Sequence, residues 1–129
     1  MRKLVSLILL ILVTVPVLSA CASNADAPAQ AVEDYLNAVV SKDEARLTTL
    51  VCADWESEAL LELDSFQAVT ASLDGVACTQ TGTDGNTALV GCSGKIIASY
   101  NGENQEFNLE GRTYEVTQEG DTWLVCGTR

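Results

Sequence analysis

The chain has 129 residues, with 18 acidic and 7 basic side chains, five cysteines, no histidine and a formal charge of −11. A protein this acidic repels phosphate backbones and anionic headgroups, which argues against nucleic acid as a partner. Without histidine, serine–histidine triads and histidine-ligated zinc are excluded.

Arg2 and Lys3 precede an apolar run over residues 4–18, interrupted only by Ser6, Thr14 and Pro16. Crossing the hydrocarbon core takes roughly 20 apolar residues, and this run is shorter. With the small residues Ser19 and Ala20 behind it, the segment has the layout of a secretory signal. Leu18-Ser19-Ala20-Cys21 resembles the lipobox of bacterial lipoproteins, whose signal peptidase cuts before the cysteine. The resemblance implies that residues 1–20 are removed and that Cys21 carries a diacylglycerol, with acylation of the new amino terminus as well. Two or three acyl chains anchor a protein stably where a single chain is marginal. The competing reading is an ordinary cleaved signal, or an uncleaved anchor, with a chance cysteine. Ala22 stands where some inner-membrane lipoproteins carry aspartate, so outer-membrane sorting stays open. The expected location is the cell membrane or outer membrane, with the domain outside the cytoplasm.

Cleavage takes Arg2 and Lys3 away and leaves 109 residues with 18 acidic and 5 basic side chains, a formal charge of −13. That length makes one small domain. Residues 21–30 read as the lipidated cysteine and a short tether, and residues 31–129 as a single folded unit. The nine residues after Cys21 reach at most about 30 Å. Val32, Leu36, Val39 and Val40 then recur at helical spacing, with Glu33, Asp34 and Asn37 on the other face. Asp26 and Pro28 supply start signals. Ser41-Lys42-Asp43-Glu44 matches a capping box and predicts a second helix with Leu47, Leu50 and Val51 inward. Asp54 can cap a third, in which Trp55, Ala59, Leu60 and Leu63 share one face.

From Gln67 the period changes to two, and Val69, Ala71 and Leu73 alternate with polar neighbours. Asp74-Gly75 reads as a bulge, because Val76 and Cys78 carry the pattern in the opposite parity. After the turn cluster Gly82-Thr83-Asp84-Gly85-Asn86 comes a long strand through Ala88, Val90, Cys92, Ile96 and Tyr100. Asn101-Gly102 is a hairpin signal. Phe107 and Leu109 follow, Gly111 shifts parity, and Tyr114 and Val116 resume. Glu119-Gly120-Asp121 turns the chain into a last strand over Trp123-Leu124-Val125-Cys126. Helices followed by a four-stranded antiparallel meander predict an α+β domain.

With Cys21 lipidated, Cys52, Cys78, Cys92 and Cys126 remain, an even number that in an exported domain reads as two disulfides. Four cysteines allow three pairings, and spacing alone does not choose among them. The hairpin sets Cys78 nearly opposite Cys92, so the expected bridges are Cys78–Cys92 and Cys52–Cys126. A four-thiolate zinc site takes closely paired cysteines, whereas the gaps here are 26, 14 and 34 residues. No metal or other cofactor is expected.

Ala31-Val32-Glu33-Asp34-Tyr35-Leu36-Asn37-Ala38 and the approach Gly120-Asp121-Thr122-Trp123 resemble the nuclear-transport-factor-2-like superfamily. Within it, the similarity is to small domains of unknown function found behind bacterial lipoboxes, over about residues 28–127. The resemblance implies a cystatin-like cone, with N-terminal helices packed on a strongly bent sheet around a cavity. That cavity hosts isomerases, dehydratases, carriers and interaction domains, so the fold alone names no activity. Enzymes of the superfamily place an aspartate beside histidine or tyrosine inside the cone. Here Asp34, Tyr35, Tyr100 and Tyr114 are the candidates. Helical periodicity instead puts Asp34 on the solvated face, and the tyrosines read as packing residues, as do Trp55 and Trp123. Asp84-Gly85-Asn86 lacks the acidic alternation of a calcium loop and reads as turn chemistry. Glu103, Glu106, Glu110, Glu115 and Glu119 read as a solvated strand face.

No catalytic residue is assigned. The expectation is a lipid-anchored, non-catalytic binding or interaction domain with a small-molecule or protein partner. The alternative is an isomerase- or dehydratase-like enzyme with an aspartate–tyrosine site. A dimer through the open sheet face follows only by analogy.

Overall fold

The computed structural model describes residues 26–129, so the expected signal, the lipobox and Cys21 lie outside the described residues. The first helix, α1, spans Ala27–Ser41, with Pro28 in its opening turn. Proline is tolerated there because its missing N–H would have no intrahelical partner. The buried stripe is Val32, Tyr35, Leu36 and Val39, widened by Ala31 and Ala38. Residues 27–30, read from the sequence as tether, are the first turn of α1, and Pro28 and Ala29 are buried. The helix stops at Lys42, which adopts a left-handed φ of 59°. There the Asp43 N–H reaches back to the Ala38 carbonyl at 3.0 Å. Ser41 is therefore the last helical residue, not a cap. Asp43 caps the next helix, α2 (Glu44–Leu47), accepting from the Arg46 N–H at 3.0 Å. A 3-10 turn at Ala53–Trp55 leads into α3 (Glu56–Ser65), which buries Ala59 and Leu63.

Five strands follow: β1 (Thr70–Asp84), β2 (Thr87–Tyr100), β3 (Glu103–Asn108), β4 (Thr113–Glu119) and β5 (Thr122–Thr128). All pairings are antiparallel, in the order β1-β2-β4-β5, with β3 also on β2. The meander has the expected four ribbons, and the third comes in two pieces laid end to end. β4 runs along residues 87–91 of β2 and β3 along residues 95–100. Between them Leu109 turns inward, fully buried, and its N–H bonds the Gly94 carbonyl at 3.0 Å.

The bend in the sheet has a local cause. Residues 75 and 76 of β1 stand opposite Gly94 alone, a bulge at the place where the sequence changes parity. Gly94 has a φ of 88°, and a Cβ there would fall 2.5 Å from the Gly75 carbonyl oxygen. The sheet folds over α1, whose stripe packs against inward side chains such as Val90, Ile96, Tyr114, Val116 and Val125. Burying a Val or Leu side chain contributes about 1.5–3 kcal/mol, against 1 kcal/mol or less for a surface ion pair, so this stripe dominates.

Each edge of the main sheet is contacted locally by the helical half. On β1, the Cys78 N–H donates to Glu33 Oε1 at 3.0 Å, and Lys42 Nζ donates to the Val69 carbonyl at 2.5 Å. Glu33, which periodicity places on the solvated face, is half-buried by this contact. On β5, residues 50–52 add a short parallel bridge through Cys52 N–H to Val125 O and Val125 N–H to Leu50 O, both 2.9 Å. Among the described residues, no helix is long and apolar enough to cross a membrane.

Two glycine substitutions separate the backbone cost from the steric one. Gly75, at φ 60° with open space around it, should lose about 1–2 kcal/mol as Gly75→Ala. Gly94→Ala adds the collision with Gly75 and should lose about 3 kcal/mol or more. Urea midpoints measure both, and equal losses would show that the close approach does not hold the bend.

Candidate functional site: a cleft at the open end of the cone

Where α3, β3 and the β3–β4 break meet, the inner face of the sheet is left uncovered, and a cleft of about 520 Å³ opens there. Its apolar wall includes Phe66, Val69, Ile96, Ala98, Phe107 and Leu109. Phe66, just past the end of α3, meets Phe107 of β3 edge to face, with ring centroids 5.9 Å apart. Phe66 is buried, while Phe107 stays 41% exposed and forms part of the rim. Trp55, Glu58 and Glu62 line the side formed by α3 and the turn before it, and Arg112 enters from the β3–β4 break.

A polar clasp closes the inner end. Tyr35 of α1 donates its hydroxyl to Glu62 Oε2 at 2.5 Å, and Arg112 Nη1 donates to Glu62 Oε1 at 2.8 Å. Arg112 Nη1 also lies 3.4 Å from the Tyr114 hydroxyl, and the guanidinium is 5.9 Å from that ring's centroid. Tyr35 and Tyr114 are fully buried and meet edge to face at 6.1 Å. One ion pair and two phenols thus tie α1, α3 and β4 together.

Burial is the main reason the Tyr35 phenol is pushed far above its ordinary range, with the adjacent Glu62 charge and hydrogen bond adding to it. Trp55 acts weakly in the other direction. Its buried indole N–H nevertheless completes no hydrogen bond among the described residues. Burial also raises Tyr114, and Arg112 pulls it partly back. For Arg112, burial works against the charge, but Tyr114 and Glu62 outweigh it and hold the guanidinium protonated. Glu62 is held on both sides. Each of its oxygens already accepts a hydrogen bond, and a cation stands beside it.

The aspartate–tyrosine pair considered from the sequence does not assemble. Asp34 sits on the outer side of α1, accepting from Gln30 at 3.3 Å and pairing with Arg46 at 3.2 Å. Tyr100 is 60% exposed at the end of β2, outside the cleft lining. The carboxylate that does meet the tyrosines is Glu62, which the sequence reading passed over. Its signal was present, since Ala59, Leu63 and Phe66 place Glu62 beside the buried face of α3. Arg112 is one of five basic residues over residues 26–129 and stands just before β4, two positions ahead of Tyr114. Trp55 and Trp123 are half-buried against the core.

The acidic residues of the strands are mostly exposed. Glu106 pairs with Lys95 at 2.8 Å, and Glu115 and Asp84 share Arg129. Gly85 turns the β1–β2 hairpin at φ 59°. No group of three metal-ligating side chains is found among the described residues. The cysteines come together in two pairs at disulfide distance. Cys78 and Cys92 stand directly opposite on β1 and β2 with Cα atoms 4.1 Å apart. Cys52 and Cys126 join the edge-covering segment to β5 with Cα atoms 4.9 Å apart.

No family model matches the chain, and no curated protein does. Among solved structures, the chain is similar to a Streptomyces avermitilis protein of the NTF2-like family, described as a candidate dehydratase. The two share 16% identity over 81% of this chain and 92% of that one, with a TM-score of 0.53. The fold is nuclear-transport-factor-2-like. At this identity the likeness extends to the fold and not to the activity. A designed β-sheet protein solved in solution also matches, with 18% identity, 81% of this chain, 84% of that chain and a TM-score of 0.44, too distant to bear on the fold.

The buried phenols link stability to alkaline pH. A raised folded-state pKa means that the unfolded chain gives up these protons first, above the ordinary tyrosine value near 10. Stability is therefore complete below about pH 10 and falls as the pH rises beyond it. Tyr35→Phe should make that fall shallower. It should also cost about 1–3 kcal/mol at neutral pH, because Glu62 loses a donor. Urea midpoints from pH 8 to about pH 11.5 measure both effects, and an unchanged alkaline slope would rule Tyr35 out as a contributor.

Proposed function

We propose that this chain is a lipid-anchored, extracytoplasmic binding domain without catalytic activity, and that its cleft takes a small apolar molecule. The carrying observation is the contrast inside the cleft. One wall, with Phe66, Ile96 and Phe107, is apolar and open, whereas the carboxylate beside Tyr35 has both oxygens engaged. Concave, mostly apolar sites with a few placed polar groups are the usual form of small-molecule sites. An isomerase- or dehydratase-like reaction would use a carboxylate next to the tyrosine donor to move a proton, and here Glu62 is instead tied to Arg112 as an ion pair.

Leu18-Ser19-Ala20-Cys21 supports lipidation at Cys21. Oxidation of Cys52–Cys126 and Cys78–Cys92 to disulfides belongs to the same reading, because bridges persist outside the reducing cytosol. The arrangement also suits an anchored receiver. Asp26, at the start of α1, lies beside Thr79 and Thr83, while Lys42, past the other end of α1, holds Val69 at the cleft. The 15 residues of α1 separate these ends by about 22 Å. The cleft is thus set away from the point where the tether enters.

Two measurements test the proposal. Cys21→Ala should leave unprocessed precursor or release soluble protein, and unchanged mature protein in the membrane would refute lipidation. Native mass spectrometry of protein extracted from its own membranes should show a small non-covalent adduct that disappears on denaturation. Recovery of the bare chain alone would overturn the small-molecule reading and turn the search to crosslinked protein neighbours.

A further inference from the structure

Three of the side chains lining the cleft ionise: Glu58, Glu62 and Arg112. Glu62 and Arg112 neutralise each other at 2.8 Å, and Tyr35 holds the remaining carboxylate oxygen. Glu58 lies one helical turn before Glu62, is exposed, and takes part in none of the ion pairs found among the described residues. The cleft therefore carries one uncompensated negative charge. Glu58 shares the cleft with three aromatic side chains, Trp55, Phe66 and Phe107.

From this charge pattern we infer that the ligand is a small apolar monocation, an aryl or alkyl amine. Its ammonium group pairs with Glu58 and its apolar body lies against Phe66 and Phe107. The inference rests on the binding-domain reading above and adds the sign of the ligand's charge. Aromatic faces favour cations, and a strongly acidic domain raises the local concentration of cations and lowers that of anions. An acid would have to compete with Glu62 for Arg112 while facing Glu58 unscreened. A neutral ligand would leave Glu58 with no partner except water.

Three water-soluble probes of similar shape separate the cases: 2-phenylethylamine, 2-phenylethanol and 3-phenylpropanoate. Each is titrated into the full lipidated chain in nanodiscs of zwitterionic lipid, with tryptophan fluorescence as the readout and empty discs as the blank. The expected order of affinity is amine, then alcohol, then acid. Added salt should weaken the amine and leave the alcohol unchanged. Glu58→Gln, a change at an exposed position, should weaken the amine about fivefold, the scale of one solvated ion pair, with no effect on the alcohol. Phe107→Ala should weaken all three. Equal binding of amine and alcohol, insensitive to Glu58→Gln, would overturn the charge assignment and leave the binding reading standing. Tighter binding of the acid would do the same. Failure of all three probes to bind would overturn both.

Discussion

The Gly75 carbonyl oxygen occupies the space that a side chain at position 94 would need, and the fold depends on that contact. A flat sheet could not wrap one helix. Here β1 gains a residue over β2 at the point where β2 has no Cβ, so the two strands close together and the ribbon bends. The bend brings Cys78 and Cys92 under α1 while Leu73 and Ile96, on the other side of the bulge, still face the same core. The Leu109 N–H bond to the Gly94 carbonyl interrupts the third ribbon beside the same residue. The crowded glycine thus lies at one of the two register shifts of β1–β2 and beside the break between β3 and β4.

That separation produces the cleft. A continuous third strand would carry its inward side chains past the end of α1 and over α3. Instead, β3 holds only Phe107 toward Phe66, and Arg112 swings in from the break to meet Glu62. The clasp has an energetic logic of its own. Glu62 and Arg112 are partly desolvated, and a half-buried charge is tolerated only where its hydrogen-bonding capacity is met. Tyr35, Tyr114 and the ion pair satisfy one another, so the polar groups at the inner end of the cleft are hydrogen-bonded. Its apolar walls have no such internal partners, and Phe107 is left exposed at their rim.

Much of this architecture was legible in the residue pattern, and the remainder failed for identifiable reasons. Local signals worked. The parity change at Asp74-Gly75, the Asn101-Gly102 turn and the stripe of α1 each depend on neighbours a few residues apart. The register that sets Cys78 opposite Cys92 follows from the β1–β2 hairpin. Errors began where a distant partner decided the outcome. Glu33 and Glu62 look like solvated helix charges until a strand N–H and an arginine about 45 to 50 residues later arrive beside them. Ser41 was displaced as a cap because Lys42 accepts a left-handed turn, which a hydrophilic exposed residue gives little hint of. Asp34, by contrast, sits on the solvated face that helical periodicity predicts. It lies on the side of α1 that faces Arg46 of α2, about a quarter turn from Tyr35.

The placement of charge then has a consequence for how such a domain works near a lipid surface. With 18 acidic side chains and 5 basic ones over residues 26–129, the domain is repelled by anionic headgroups, and on the proposed lipid-anchored reading only a tether would hold it close. On that reading, repulsion and a short tether would together favour orientations in which the bulk of the domain stands off the surface. Because α1 starts at the tether and ends beside Val69, standing off lifts the cleft furthest. The same acidity that excludes phosphate and anionic lipid draws cations toward the surface, and within the cleft Glu58 is the carboxylate left without an internal partner. On the proposed reading, an anchor that keeps the protein at the membrane and a field that keeps the domain off it would place the cleft where a soluble amine, not a membrane anion, arrives.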